Sequence, residues 1–293
     1  MTDPPARKTF ERLASLFIWS RKHPLTALGA LLVCVLVLAA FASPLLAPCD
    51  PNLQVLADRL MPPSSTHWLG TDQFGRDVFS RLVFGSRVSL AVGLVSVTIY
   101  IFIGLLVGAL AGYYGGWVDT VLMRFVDVVL CIPTFFLILM VVAFVGPSLF
   151  NVMVIIGLTS WTDVARLVRG EILTLKTREY IQAARVLGYS DARIILKHLL
   201  PNAMGPVLVV ATLGIGGAIL TESALSFLGL GVQPPTASWG NMLMEGKDHL
   251  TDAWWLVLFP GLAIFLTVLG YNFLGEGLRD KLDPRMSDGN NHG

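Results

Sequence analysis

The chain has 293 residues, 54% of them hydrophobic and only 14% charged. Soluble domains carry about 25% charged residues, so these proportions, with a mean hydropathy of +0.69, exclude an ordinary soluble protein and require a membrane. A net charge of +1 removes the bulk basic surface that marks nucleic-acid binders. Apolar residues run along almost the whole length, which excludes a single-span anchor bearing a large soluble domain.

A bilayer core of about 30 Å takes roughly 20 helical residues. Leu25 to Ala47 is uncharged and begins behind Pro24, a residue tolerated in the first helical turn because its missing N–H had no partner there. The run is longer than the roughly 7 to 15 apolar residues of a signal peptide, so residues 25–47 are expected to stay as the first span. Residues 48–87 form an external segment. Within it a short amphipathic helix is expected, with Arg76, Asp77 and Arg81 on a solvated face and Val78, Phe79, Leu82 and Val83 on the apolar one.

Val88 to Tyr114 is the second span, and Gly104, Gly108 and Gly112 recur in it at i, i+4, i+8, the spacing that lets helix backbones approach closely. Val128 to Thr162 is uncharged but too short for two spans and a turn, and Gly146-Pro147-Ser148 interrupts it. It reads as spans three and four, extended past Asp127 and Asp163. Each aspartate can then pair at the interface with an arginine three residues away, Arg124 or Arg166. Span five runs from Ala203 to Thr221 and leaves Glu222 toward its far end, and span six covers Ala253 to Gly275.

Six spans put both termini on one side, and sixteen of the 21 Lys and Arg residues share that side. The positive-inside rule makes it the cytoplasm, so residues 1–24 and 277–293 are expected as cytoplasmic tails of an all-α, multi-pass protein. Cys34, Cys49 and Cys131 form no spacing motif and read as small apolar residues. No Walker A string, HExxH or G-x-S-x-G is present, so nucleotide binding by that route, zinc hydrolysis and serine chemistry have no sequence support. No catalytic residue and no metal site is assigned. A secondary carrier or channel acting alone is a remote alternative, because internal repeats and midplane charges are not evident.

Glu179 to Asn202 reads EYIQAARVLGYSDARIILKHLLPN. Tyr180, Ala183, Ala184 and Leu187 recur at i, i+3, i+4, i+7, one apolar face with small residues at its centre. Glu179, Gln182 and Arg185 lie opposite. Gly188 ends this helix by accepting the left-handed conformation. Ser190 or Asp191 can cap a second helix through Ile194, Ile195, His198 and Leu199, which Pro201 is expected to stop. Periodicity alone allows an ordinary basic surface loop or a docking helix.

Gln182-Ala183-Ala184, then Gly188, then His198 ahead of Leu200-Pro201 resembles the EAA motif of membrane subunits of binding-protein-dependent ABC importers, with Gln182 in the motif's Glu position. Trp68-Leu69-Gly70-Thr71-Asp72 with Gly75-Arg76-Asp77-Val78, Phe227-Leu228-Gly229 with Gln233-Pro234-Pro235, and the closing Gly277-Leu278-Arg279-Asp280 are similar to segments of peptide and nickel permeases. The chain resembles the C-type permease subunit of dipeptide and oligopeptide transporters over roughly residues 24–284.

That resemblance implies the type I importer permease fold, with a five-helix transmembrane domain over residues 88–276 containing a coupling segment at 177–201. It implies a heterodimer with a second homologous permease subunit, two cytoplasmic ATPase subunits and an external substrate-binding protein, in the cytoplasmic (inner) membrane of a prokaryote. This chain would hold no cofactor, ATP and magnesium belonging to the ATPases. It assigns ATPase coupling to Tyr180, Gln182, Ala183, Ala184, Arg185, Gly188, His198 and Pro201. Peptide is the implied cargo, with nickel or a metal chelate as the alternative. Glu222 has two readings: an acid of the pathway or outer gate, or a hydrated residue at a helix end. An acid at mid-membrane costs on the order of 2.5 to 3.5 kcal/mol, a penalty that falls away at the surface. Asp127, Asp163 and Arg166 are expected as interface charges.

Overall fold

The computed structural model describes residues 23–282; six of the basic residues in the orientation argument, Arg7, Lys8, Arg12, Arg21, Lys22 and Arg285, lie outside them. Ten helices organise the described residues: α1 (Pro24–Phe41), α2 (Val78–Tyr114), α3 (Gly116–Leu130), α4 (Thr134–Val145), α5 (Leu149–Thr159), α6 (Thr162–Leu175), α7 (Glu179–Val186), α8 (Leu200–Phe227), α9 (Trp239–Gly246) and α10 (Trp255–Leu282), joined by single turns and short 3-10 segments. Among these residues there is no β-strand, only an isolated bridge between Thr71 and Asp77.

Five stretches are long and apolar enough to cross a membrane: α1, α2, Leu149–Leu175, Asp191–Phe227 and α10. The sixth is the α3–α4 pair, bent by 81° at its break. The long uncharged run therefore divides at Gly146 as expected, and its first half recruits the whole of Gly116–Leu130 upstream. Ser148 caps α5 by accepting from the Asn151 N–H at 3.1 Å.

The helices sort their residues by solvent. Leu25, Leu31, Val35 and Leu38 of α1 and Phe102 and Leu106 of α2 are exposed, which in a bilayer is contact with lipid rather than water. Small residues face inward instead. A Cβ on Gly104 would lie 2.5 Å from Val164 Cβ, one on Gly108 2.5 Å from the Ala165 carbonyl oxygen, and one on Gly112 2.8 Å from Ile172 Cβ. The glycine stripe of α2 is thus the seam on which α6 lies backbone against backbone.

Two expectations about breaks need correction. The amphipathic helix ahead of span two is not separate: it forms the opening turns of a continuous 37-residue α2. Its charges are not solvated either, since Arg76, Asp77 and Arg81 are only 2%, 3% and 1% exposed. Pro201, expected to stop a helix, sits in the first turn of α8, which is continuous with Asp191–Ile194 through the π-helical segment Ile195–Leu199. A π-turn moves the hydrogen-bond register by one residue, which lets the chain pass a residue with no N–H to donate.

Candidate functional site

The segment for which the resemblance implies coupling, residues 177–201, begins where α6 runs out. The Lys176 ammonium donates to the Gly112 carbonyl at 2.8 Å, fastening the end of α6 to the end of α2. In α7, Ile181 and Ala184 turn into the bundle at 0% and 5% exposure, packing in one core with Tyr113, Val168, Ile172, Ile194 and Leu199. Tyr180, Ala183, Val186 and Leu187 are exposed. The apolar face inferred from periodicity is therefore split: Ala184 goes in with Ile181, while Tyr180, Ala183 and Leu187 remain outside. An 8-residue helix has residues for both jobs, because positions 180, 183 and 187 and positions 181 and 184 form adjacent stripes.

Gly188 ends α7 at φ +76. The Gly188 N–H donates to the Arg185 carbonyl at 2.9 Å and the Tyr189 N–H to the Ala184 carbonyl at 3.1 Å, the paired bonds of a Schellman motif. Gln182 is exposed, and its side-chain amide donates to the Lys176 carbonyl at 2.9 Å. A glutamate carboxylate has no proton to give there, so Gln182 ties α7 to the preceding turn in a way that the motif's Glu does not.

Tyr113, near the end of α2, grips the far side of the turn. Its hydroxyl donates to Asp191 Oδ1 at 2.6 Å, and the Arg185 guanidinium lies 5.3 Å from its ring centroid, a cation–π arrangement. Asp191 is used in this bond, and neither it nor Ser190 caps the helix that follows through its side chain. His198 stacks on Tyr189 at 5.8 Å, with the Arg193 guanidinium 4.1 Å from the same Tyr189 ring. Pro201 is exposed one turn further on. The eight residues singled out at 180–201 thus belong to one unit, tied at its two ends to α6 and α8 and in its middle to α2.

The interface acids pair differently from expectation. Asp127 accepts from Arg166 at 2.6 Å, 39 residues away, not from Arg124. Asp119 takes the Arg169 guanidinium on both oxygens at 2.5 and 2.6 Å. Both bonds run from α3 to α6, and the Asp119–Arg169 fork has the bidentate geometry that makes arginine pairs directional. Asp163 has lost its expected partner Arg166 to Asp127 and is exposed.

At the other end of the bundle Glu222 is fully buried and is not the hydrated helix end of one reading. It accepts hydrogen bonds from the Ser226 hydroxyl at 2.6 Å and the Ser238 hydroxyl at 3.0 Å. Ser238 also caps α9 in a capping box with Asn241, so Glu222 anchors the segment between α8 and α9. Trp239 completes that anchor by donating from Nε1 to the Leu82 carbonyl at 3.0 Å. Nearby, Arg76 bonds Asp72 at 2.6 Å and Glu245 at 2.6 Å, and Arg81 meets the same Glu245 oxygen at 3.2 Å. Asp77 caps α2 through the Ser80 N–H at 2.8 Å and holds His67 Nδ1 at 3.0 Å. Sequence reasoning missed Glu245, which sits 169 residues from Arg76 with no local pattern to connect them. Among the described residues, no group of three His, Cys, Asp or Glu is arranged to hold a metal.

Comparison with known proteins bears on this arrangement. Residues 104–288 match the family model described as binding-protein-dependent transport system inner membrane component, and residues 20–63 match the N-terminal TM domain of oligopeptide transport permease C. The chain is 43% identical over 282 residues to the dipeptide transport system permease protein of Alkalihalophilus pseudofirmus, covering 96% of this chain and 90% of that one. It is 46% identical over 267 residues to the glutathione transport system permease protein of Pectobacterium atrosepticum, covering 91% and 88%. Its fold is similar to that of an inward-facing MetNI methionine ABC transporter chain, with a TM-score of 0.56 at 22% identity over 70% of this chain and 97% of that chain.

Proposed function

Because the chain belongs to the family of binding-protein-dependent transport system inner membrane components, a multi-pass permease subunit rather than an enzyme, we propose that it moves dipeptides or short oligopeptides inward. The peptide cargo rests on relatives whose printed names are dipeptide and oligopeptide permeases, at 37 to 43% identity over nearly the whole chain. In this reading both termini are cytoplasmic and α7 faces the same side. A second homologous permease completes the pathway, an external binding protein delivers the peptide, and ATP with magnesium is bound and hydrolysed by two partner ATPases.

The observation that carries the coupling role is the split face of α7. Its inner stripe locks the helix into the core, and its outer stripe of Tyr180, Ala183 and Leu187 is left exposed, an apolar set for a partner's groove. Ties through Lys176, Tyr113 and the π segment to α6, α2 and α8 make a push on α7 tilt three spans together, as a lever between two packed states. The partner supplies the energy, and this chain supplies the movable path.

ATP-dependent uptake of labelled dipeptide, longer peptide and nickel into vesicles holding the assembled complex tests the proposal. Dipeptide or oligopeptide accumulation that stops without ATP is the expected result. Accumulation of nickel alone would assign the cargo to the metal, and uptake without ATPase subunits would remove the importer reading.

A further inference from the structure

At mid-height of the bundle a cavity of about 410 Å³ opens between α2, the α5–α6 junction and α8, with Tyr100, Ser160, Asp163, Gly214, Gly217 and Thr221 in its lining. Its depth follows from helix geometry. Tyr100 is 14 residues from Tyr114 and 13 from Arg87, about 20 Å of helix in either direction.

Of the four polar side chains in this lining, one is satisfied locally and three are unsatisfied among the described residues. Thr221 returns its hydroxyl to the Gly217 carbonyl at 2.9 Å. Among the described residues, the Tyr100 hydroxyl, the Ser160 hydroxyl and the Asp163 carboxylate meet no hydrogen-bond or ion-pair partner. Tyr100 is 6% exposed, and its hydroxyl fills the place where a Cβ on Gly214 would stand. Arg166 is committed to Asp127, and no Lys, Arg or His is in the lining. Gly217 opens onto free space, with no atom within 4 Å of where its Cβ would be.

An acid at that depth is costly unless it faces a water-filled path or a cation. Here the acid lines an open cavity whose polar side-chain groups are all oxygens, set among Ile156, Val164, Val210, Leu213 and Ala218. An ammonium group has three donors and no acceptor, and a cavity lined by a carboxylate and by two hydroxyls without internal partners offers the complementary acceptors. We infer that Asp163, with Ser160 and Tyr100, forms a transit site for a cationic amine, and that the amine is the α-ammonium group of the peptide. The second half of this inference rests on the peptide reading above. The cavity volume lies within the about 300 to 1,000 Å³ of small-ligand sites.

The test compares two cargoes in vesicles holding the assembled complex: a dipeptide and its des-amino analogue, which lacks only the ammonium group. The ratio of their ATP-driven uptake rates is measured for the wild type, Asp163→Asn and Asp163→Glu. Selection by the binding protein enters all three ratios equally and cancels between them. The expected result is a preference for the dipeptide that falls roughly tenfold in D163N, the scale of one hydrogen bond to a charged group, and is largely recovered in D163E. An unchanged ratio in D163N overturns the transit site, whether total uptake holds or falls for both cargoes alike, because a purely structural acid or one covered by the second permease affects both equally. A wild-type complex that carries neither cargo defeats the peptide reading instead, and ATP-driven uptake of unrelated primary amines then tests the amine site without it.

Discussion

The Gly188 turn separates a conformational role from a contact role, and a short series of substitutions reads the difference. Gly188 has φ +76, and no atom lies within 4 Å of where its Cβ would stand. Added side-chain atoms therefore meet nothing inside the chain, and the penalty is the backbone's alone. Placing an L-residue in the left-handed region costs roughly 1 to 2 kcal/mol, which weights the turned conformation down by about five- to thirtyfold relative to glycine. Asparagine visits this region more readily than alanine although it is larger, and valine visits it least. Conformational control thus predicts ATP-driven uptake in the order Gly188, then Gly188→Asn, Gly188→Ala and Gly188→Val, with V near background. The assay is uptake by complexes matched for the amount of permease in the membrane, together with hydrolysis stimulated by the loaded binding protein. If Gly188 instead served as bare surface against an ATPase, size would govern and alanine would outperform asparagine. That reversal, or substrate-stimulated hydrolysis at the wild-type level in G188V, would refute the reasoning.

Two further substitutions test the frame around the segment. Gly108→Val places a side chain 2.5 Å from the Ala165 carbonyl oxygen and 3.0 Å from the Arg169 nitrogen, backbone atoms that cannot rotate away. Overpacking of this kind costs about 1 to 3 kcal/mol, and the thermal midpoint of the purified complex in detergent should fall. Gly170→Val, with open space around its Cβ, is the control expected to leave the midpoint near the wild-type value; equal losses in both would remove the α2–α6 seam as the cause. Glu245→Gln strips the shared carboxylate from Arg76 and Arg81, which are 2% and 1% exposed. Breaking a buried pair costs about 3 to 5 kcal/mol, so this variant should show the lowest midpoint of the set, and a wild-type midpoint would mean that the two arginines are hydrated in the assembled transporter.

Much of the architecture is local in origin and so could be read along the chain. A span is a run of about 20 residues without charge, a seam is small residues four apart, and a helix stop is a glycine with no steric objection to positive φ. Those rules locate the spans, the Gly104–Gly108–Gly112 contact, the break at Gly146 and the turn at Gly188. The segment proposed for coupling is also visible, through a resemblance to a motif that is contiguous from Gln182 to Pro201. What the local rules leave open is choice among partners. Arg166 is three residues from Asp163 but bonds Asp127, since the bend of 81° between α3 and α4 accompanies an α3 whose Asp119 and Asp127 meet α6. Arg76 and Arg81 look like a wet face until Glu245 closes over them. The stripe 180–183–187 and the stripe 181–184 are equally periodic, and only the packing of α7 on α6 and α8 decides which one is buried. Pro201 breaks a helix by its own chemistry, yet the π segment before it absorbs the defect. Local chemistry restricts each residue to a few states, whereas the cost of an unpaired charge or an unfilled core depends on what the rest of the fold brings alongside. Asp163, among the described residues, is brought no cation and lines an open cavity together with the Tyr100 and Ser160 hydroxyls.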